Sequence, residues 1–237
     1  MVGTGSAFAK KHYNNNALIK SGGKTILLDC GITLPHALYE LGYNFGQLDA
    51  VLISHIHADH VGGLEELAFQ MLFNYNRKPV LYIAEPLISP LWEHTLRGGL
   101  TQGELTSLSD FFEVRPLKPN EYAPLTEELS VMPIQTAHIP GKPSYSFLIN
   151  DRFFYSADMQ FDRKLLELLH EQGVETFFHD CQLEPPGNVH ACLDELLTLP
   201  DAIQQKMWLM HYGDAISEYI GKTGAMRIVE QGKMYSF

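Results

Sequence analysis

The stretch Ser54-His55-Ile56-His57-Ala58-Asp59-His60 sets three imidazoles and a carboxylate within a few positions, and Gly62 and Gly63 follow directly. It lies between an apolar run, AVLIS (50–54), and a helical pattern over 64–74 in which Leu64, Leu67, Ala68, Met71 and Leu72 share one face. A strand-to-helix turn can converge side chains that neither element could bring together alone. Neutral imidazole suits zinc and a carboxylate compensates charge. His55, His57, Asp59 and His60 therefore read as ligands of a borderline divalent metal rather than as a solvated loop. The glycines let the backbone pass close to such a site.

One cluster does not complete a coordination shell. Three further candidates each end an apolar run: His138 after VMPIQTA, Asp158 after RFFYSA and His211 after KMWLM. Seven ligands allow two metal ions with one carboxylate shared between them. Zinc is the default for so many imidazoles, and manganese also accepts this donor mixture.

The elements that must position these residues alternate. KTILLD (24–29), AVLIS, VLYIA (80–84), SFLI (146–149), RFFYSA (152–157), TFFH (176–179) and MWLMH (207–211) predict strands. Helices are predicted over 34–41, over 64–74, from an Asp162 cap to Gly173, and over 191–198. Alternating strands and helices give an α/β layered fold. At 237 residues, without a linker or repeat, one domain over 1–237 is expected.

Composition narrows the partners. An apolar fraction of 45% with 11% aromatics is globular, and no window is long and apolar enough for a bilayer. MVGTGSAFAK lacks the pattern of a secretory signal, so a cytoplasmic protein is expected. Three cysteines without CxxC spacing argue for reduced thiols, with Cys30 and Cys192 packed in the core. A formal charge of −11 with scattered basic residues opposes a large nucleic-acid footprint, while a small anion could still enter a metal-containing pocket.

SHIHADH, His138, YSADMQ and LMHYGD resemble the successive motifs of the metallo-β-lactamase fold, spread over nearly the whole chain. GTGSAF, LLDCG (27–31) and HDCQ with VHACLDEL (179–196) resemble its RNase Z and phosphodiesterase branch. The resemblance implies an αββα sandwich of two packed β-sheets flanked by helices, with a first strand shorter than is usual. It also implies His55, His57 and His138 on one metal, Asp59, His60 and His211 on the other, and Asp158 bridging.

Two metals about 3.5–4 Å apart can bridge a water, bring its pKa towards about 7 and clamp a phosphoryl group for in-line attack. The leaving oxygen then needs a proton from a general acid that is not a ligand. His190 is the candidate. Asp180 stands where RNase Z-like enzymes carry a glutamate paired to that histidine, so His190, Asp180 and the ligand Asp59 form the catalytic set. His179 reads as a residue orienting a ligand or as core. His12, His36, His94 and His170 read as surface residues.

The compact motif set is similar to cyclic-nucleotide phosphodiesterases, including anti-Pycsar proteins, which destroy signals such as cCMP and cUMP and are typically homodimers. The implied substrate is a 3′,5′-cyclic mononucleotide (cCMP, cUMP, cAMP or cGMP), and the implied setting is evasion of cyclic-nucleotide-based defence against phage. An RNase Z-type tRNA 3′ endonuclease is the alternative. Only 19 residues separate His138 from Asp158, too few for the protruding tRNA-gripping arm, and the acidic charge also opposes it. A non-catalytic metal-dependent binding or sensor module is the reading from another class. Substrate contacts are sought in Trp92 and Arg97, beside a Gly98-Gly99 lid hinge, and in Lys142, Ser144 and Tyr145 after His138. For Trp92 and Arg97, packing and surface charge are the simpler reading.

Overall fold

Runs of Val, Ile, Leu and aromatic residues too apolar for a solvent-facing strand must be covered on both faces, and here they build two sheets that cover each other. In the computed structural model, which describes residues 1–237, the first half gives β1 (Ala17–Ser21), β2 (Lys24–Leu28), β3 (Ala50–Ile53), β4 (Val80–Ala84) and β5 (Glu113–Leu117), side by side in that order. β1 and β2 form an antiparallel hairpin, and β2 to β5 are parallel. Helices α1 (Leu34–Glu40), α2 (Ala58–Val61), α3 (Leu64–Phe69), α4 (Glu85–Leu91), α5 (Arg97–Leu100) and α6 (Leu108–Phe111) belong to this half.

The second sheet runs in sequence order through β6 (Ala123–Pro124), β7 (Ser130–Thr136), β8 (Ser144–Ile149), β9 (Phe153–Tyr155), β10 (Thr176–Asp180), β11 (Met207–Met210) and β12 (Arg227–Ile228). Its helices are α7 (Arg163–Glu171), α8 (Leu193–Leu196) and α9 (Asp201–Gln204). Pairing is antiparallel from β6 to β9 and parallel from β9 to β12. Consequently β7, β9, β10 and β11 all point the same way, and the residues that follow them emerge at one edge of the sheet.

Three apolar layers express the strand alternation. Ile26, Leu28, Ala50 and Leu52 of one sheet meet Val131, Phe147, Tyr155 and Phe178 of the other. Their neighbours Leu27, Val51 and Ile53 face outward onto Leu34, Leu38, Leu64 and Leu67. Leu148, Phe154, Phe177 and Leu209 pack on Leu166, Leu169, Leu196 and Ile203. Helix, sheet, sheet and helix follow in sequence, which is the expected αββα sandwich.

The predicted helices shrink or extend at their ends. The 64–74 pattern is α3 continued by a π-helical turn at Gln70–Asn74, Asp162 caps α7 by accepting from Leu165 N at 3.0 Å, and the 191–198 segment keeps one turn. β1, β5, β6 and β12 escaped the sequence reading because Lys20, Arg115 and Pro124 interrupt their apolar pattern or because they are only two residues long, and β7 was read only as the apolar run VMPIQTA. Residues 3–5 form isolated bridges to Asn14, Asn16 and Tyr212 rather than a short first strand. All three cysteines are buried and unpaired.

Candidate metal centre

Every predicted ligand lies just beyond a strand's carboxyl end, where open α/β sheets place their sites. β3 ends at Ile53 and releases the turn carrying His55, His57, Asp59 and His60; His138, Asp158 and His211 follow β7, β9 and β11. The atoms of His55, His57, His138 and Asp158 lie within 4.8 Å of one another, as do those of Asp59, His60, Asp158 and His211. Asp158 is common to both groups. His55 Nε2 and His138 Nε2 stand 3.1 and 3.2 Å from His57 Nδ1, so three lone-pair positions converge. In the second group, Asp59 Oδ2 is 3.2 Å from the Nε2 atoms of both His60 and His211.

The imidazoles are oriented from behind. His60 Nδ1–H donates to Asp29 Oδ2 at 2.8 Å, His138 Nδ1–H to the Val189 carbonyl at 2.7 Å, and His211 Nδ1–H to Asp180 Oδ1 at 3.2 Å. Ser54 Oγ donates to Asp29 Oδ2 at 2.7 Å, which leaves its lone pairs to accept from His55 Nδ1–H at 3.0 Å. Asp29 also accepts from Ser54 N. Each of these rings turns its other nitrogen toward the site.

Local backbone strain aims the ligands. Asp29, Ala157 and His211 adopt left-handed φ of 58°, 48° and 56°, a region non-glycine residues rarely occupy. Buried hydroxyls hold the bend at Ala157: Ser156 Oγ donates to the Ala157 carbonyl and accepts from Asp180 N, while Ser146 Oγ donates to the Ser156 carbonyl. Glycine serves close approach at Gly31 and Gly63. A Cβ on Gly31 would stand 2.0 Å from the Asp59 carbonyl, and one on Gly63 2.6 Å from the Gly31 carbonyl. That contact sets Asp29 against His60.

Charge shows whether cations fit. Asp29, Asp59, Asp158 and Asp180 are buried, and histidines are their only ion-pair partners. Buried carboxylates of this density require compensating positive charge. His60 Nε2 and Asp158 Oδ1 are buried without a hydrogen bond although 3.2 Å apart. Burial and neighbouring imidazoles push His55 well down; burial first, then His138, brings His57 to about 4. Both are neutral with a lone pair free. Burial opposes protonation of His60 and His211, yet the surrounding carboxylates raise both, His211 to about 10. The donor set suits two divalent cations, which would take over the charge those protons carry.

His190 stands beside this centre. Its Nδ1–H donates to Asp180 Oδ2 at 2.7 Å, so the shorter carboxylate reaches it. Its ring lies 4.8 and 5.0 Å from the His138 and His211 rings, and 22% of its side chain remains open to the cleft. Burial works against its charged form, but Asp180 prevails and holds its pKa above the ordinary range. Asp180 thus joins His190 to His211.

Other predicted residues fall elsewhere. Ser144 is buried and donates to the Asp158 carbonyl at 3.1 Å, which corrects its assignment from substrate contact to support of the shared ligand. Gly98 and Gly99 lie in α5 rather than in a mobile lid: Gly98 faces open space and Gly99 stands against the tip of the Glu65 side chain from α3. Trp92 packs on the first-half core and Arg97 pairs with Glu93 at 2.5 Å, as the simpler reading expected. Lys142 is exposed and Tyr145 buried at a cleft beside His138. His179 is buried and donates Nδ1–H to the Asp180 carbonyl; His12 and His170 are half-buried. Sequence reading missed Asp29, Ser54 and Ser156. All three lay inside quoted motifs, Asp29 in LLDCG, Ser54 in SHIHADH and Ser156 in YSADMQ, but no role was read for them.

The same architecture recurs in YhfI from Bacillus subtilis, a metallo-β-lactamase fold protein, with a TM-score of 0.74 at 18% identity over 98% of this chain and 95% of that one. Fold and ligand sets together place the chain among the metal-dependent hydrolases of that fold. Within the class it belongs to the family described as anti-Pycsar protein Apyc1, whose model matches residues 1–235. An anti-Pycsar protein Apyc1 of Paenibacillus harenae is 66% identical over 99% of this chain and 98% of its own. One of Bacillus phage vB_BsuM-Goe3 is 44% identical over 98% and 95%. No helix is long and apolar enough to cross a membrane.

Proposed function

We propose that the protein is a dinuclear phosphodiesterase that hydrolyses 3′,5′-cyclic mononucleotides such as cCMP, cUMP, cAMP and cGMP. The observation that carries this reading is the shared Asp158 between two ligand groups, with the Asp180-held His190 next to them. His55, His57 and His138 would hold one ion and Asp59, His60 and His211 the other, with Asp158 available to both. Zinc is the expected metal, and the working form is a homodimer in the cytoplasm of the cell, or of the host for phage relatives. When bound, the ions supply Lewis acidity and neutralise charge building on the phosphoryl group.

The chain's own residues do the rest. Asp59, beside His60 and His211, fixes the side of the cleft from which water attacks phosphorus, and the proton that the water loses passes to solvent. The bond from phosphorus to the leaving ribose oxygen breaks, and His190 Nε2–H delivers a proton to that oxygen. Asp180 keeps His190 in the right tautomer and favours its charged form. Between His138 and Asp158 the chain is occupied by a short turn, β8 and β9, so it supplies no arm to grip tRNA. His190, held by Asp180 beside the ligand groups and assigned to neither of them, favours catalysis over a non-catalytic sensor.

The test incubates metal-loaded protein with a panel of cyclic nucleotides and a 3′-extended pre-tRNA, with His55→Ala as control. Cleavage of the cyclic panel, abolished in the control, is expected. Cleavage of the tRNA alone overturns the assignment.

A further inference from the structure

Beside His138 the surface opens into a cavity of about 620 Å³, lined by residues 135–143 together with Pro86, Tyr145 and Gln160. Its size falls in the range of about 300–1,000 Å³ common to small-molecule sites. It adjoins the metal centre at His138, which lines the cavity and belongs to the first ligand group.

Two polar groups in this cavity have no protein partner for the function they expose. Tyr145 is 1% exposed and its ring belongs to the first-half core, while its backbone N–H donates to the Ser54 carbonyl at the foot of the ligand turn. Burial alone raises its phenol, and no hydrogen bond contributes. A phenol packed this deeply normally finds a partner. Gln160 is the second group. Its Nε2 donates to the His138 carbonyl at 2.8 Å, and because a carbonyl only accepts, the amide orientation is fixed. Its Oε1 is left as a free acceptor. Gln160 N donates to the Ala137 carbonyl at 2.7 Å, so the whole residue is fastened to the turn that carries His138.

We propose that this cavity is the nucleoside subsite: Tyr145 Oη and Gln160 Oε1 hydrogen-bond the polar edge of the sugar and base while the phosphodiester lies at the metal centre. This inference rests on the cyclic-nucleotide reading above. A hydroxyl that rotates to donate or accept, beside a fixed acceptor, tolerates different bases. Lys142, exposed at the cavity's outer rim with no ion-pair partner, adds positive charge where the nucleotide enters. Binding energy collected here acts on a group remote from phosphorus and so appears chiefly in KM.

The experiment compares Tyr145→Phe with wild type on a 3′,5′-cyclic nucleotide and on bis(p-nitrophenyl) phosphate, a phosphodiester without a nucleoside. Calorimetric titration with a nucleoside 5′-monophosphate accompanies the kinetics. Phenylalanine keeps the ring packing and removes only the hydroxyl. The expected result is a roughly fivefold larger loss of kcat/KM on the nucleotide than on the aryl diester, carried by KM, with a matching weakening of monophosphate binding. Gln160→Glu, which places a charge where an acceptor stood, should shift the same ratio in the same direction. Equal losses on both substrates, or no change on either, overturn the subsite while leaving the phosphodiesterase assignment intact. A wild-type protein inert toward cyclic nucleotides but active on the aryl diester overturns both.

Discussion

The two ligand groups use similar side chains but are supported differently. Around His55, His57 and His138 the outer partners are neutral, a serine hydroxyl and the Val189 carbonyl, and the imidazoles are pushed toward neutrality. Around Asp59, His60 and His211 the outer partners are the carboxylates Asp29 and Asp180, and the imidazoles are held toward the charged form. A carboxylate behind an imidazole makes it a stronger base and a better donor to a cation. The second group should therefore bind its ion more tightly, and the first should exchange more readily.

The largest effect should come from the residue that belongs to both groups. Asp158→Asn removes one charge from each, and metal analysis should find fewer than two equivalents bound, with turnover at background. A variant retaining both ions and near-normal turnover would break the picture of a shared carboxylate. His190→Ala comes next. It should keep both ions and lower kcat by about 10²–10⁴-fold, the usual range for a lost general acid. The pH dependence follows from the direction of its shift. The acid must be protonated to act, and a raised pKa keeps it so further into alkaline conditions, so activity falls as pH rises through that value. In His190→Ala this alkaline limb should vanish from the kcat profile.

Asp29→Asn tests the asymmetry directly. It removes the carboxylate behind His60 while leaving every ligand in place, and losses of such partners cost about 10–100-fold in affinity or activity. Metal titration should show the weakening in the Asp59/His60/His211 group. If the His55/His57/His138 group loses its ion first, the difference in outer partners does not govern affinity.

Most of this centre was legible because metal ligands are read by type and spacing. HxHxDH on a turn, and a histidine or aspartate ending each of three apolar runs, singled out the seven side chains that the structure brings together as candidate ligands. The layers were legible for the same reason, since strands buried on both faces read as unbroken apolar runs. What escaped was whatever acts through position alone. Ser54 and Ser156 look like ordinary strand-end serines, and only the register of neighbouring strands makes them anchors for Asp29 and Ala157. Ser144 stood close to His138 in sequence, but alternation along β8 turned its hydroxyl toward Asp158 instead of the cleft. Gly98-Gly99 suggested a hinge, yet the pair lies inside α5, and sequence carries no mark that separates a hinge glycine from one in a helical turn.

Ser54 offers the finest test, because its hydroxyl is the one group touching both supports: it accepts from His55 and donates to Asp29. Ser54→Ala leaves the two neighbourhoods unequal. Asp29 keeps the Ser54 backbone N–H at 2.8 Å and the His60 N–H at 2.8 Å, so the second group retains most of its support. His55 loses the only partner of its Nδ1, which frees its ring to rotate or change tautomer. A neutral hydrogen bond is worth about 0.5–1.5 kcal/mol, so the expected cost is a few-fold in metal affinity, falling on the His55/His57/His138 group. Titration with Co²⁺, whose absorption distinguishes an imidazole-rich site from a carboxylate-rich one, should show that group filling later than in wild type. The order of loss would be the reverse of that in Asp29→Asn. Should both variants weaken the same ion, the hydrogen bond between Ser54 and Asp29 binds the two supports into one unit, and the contrast between neutral and charged partners no longer separates them.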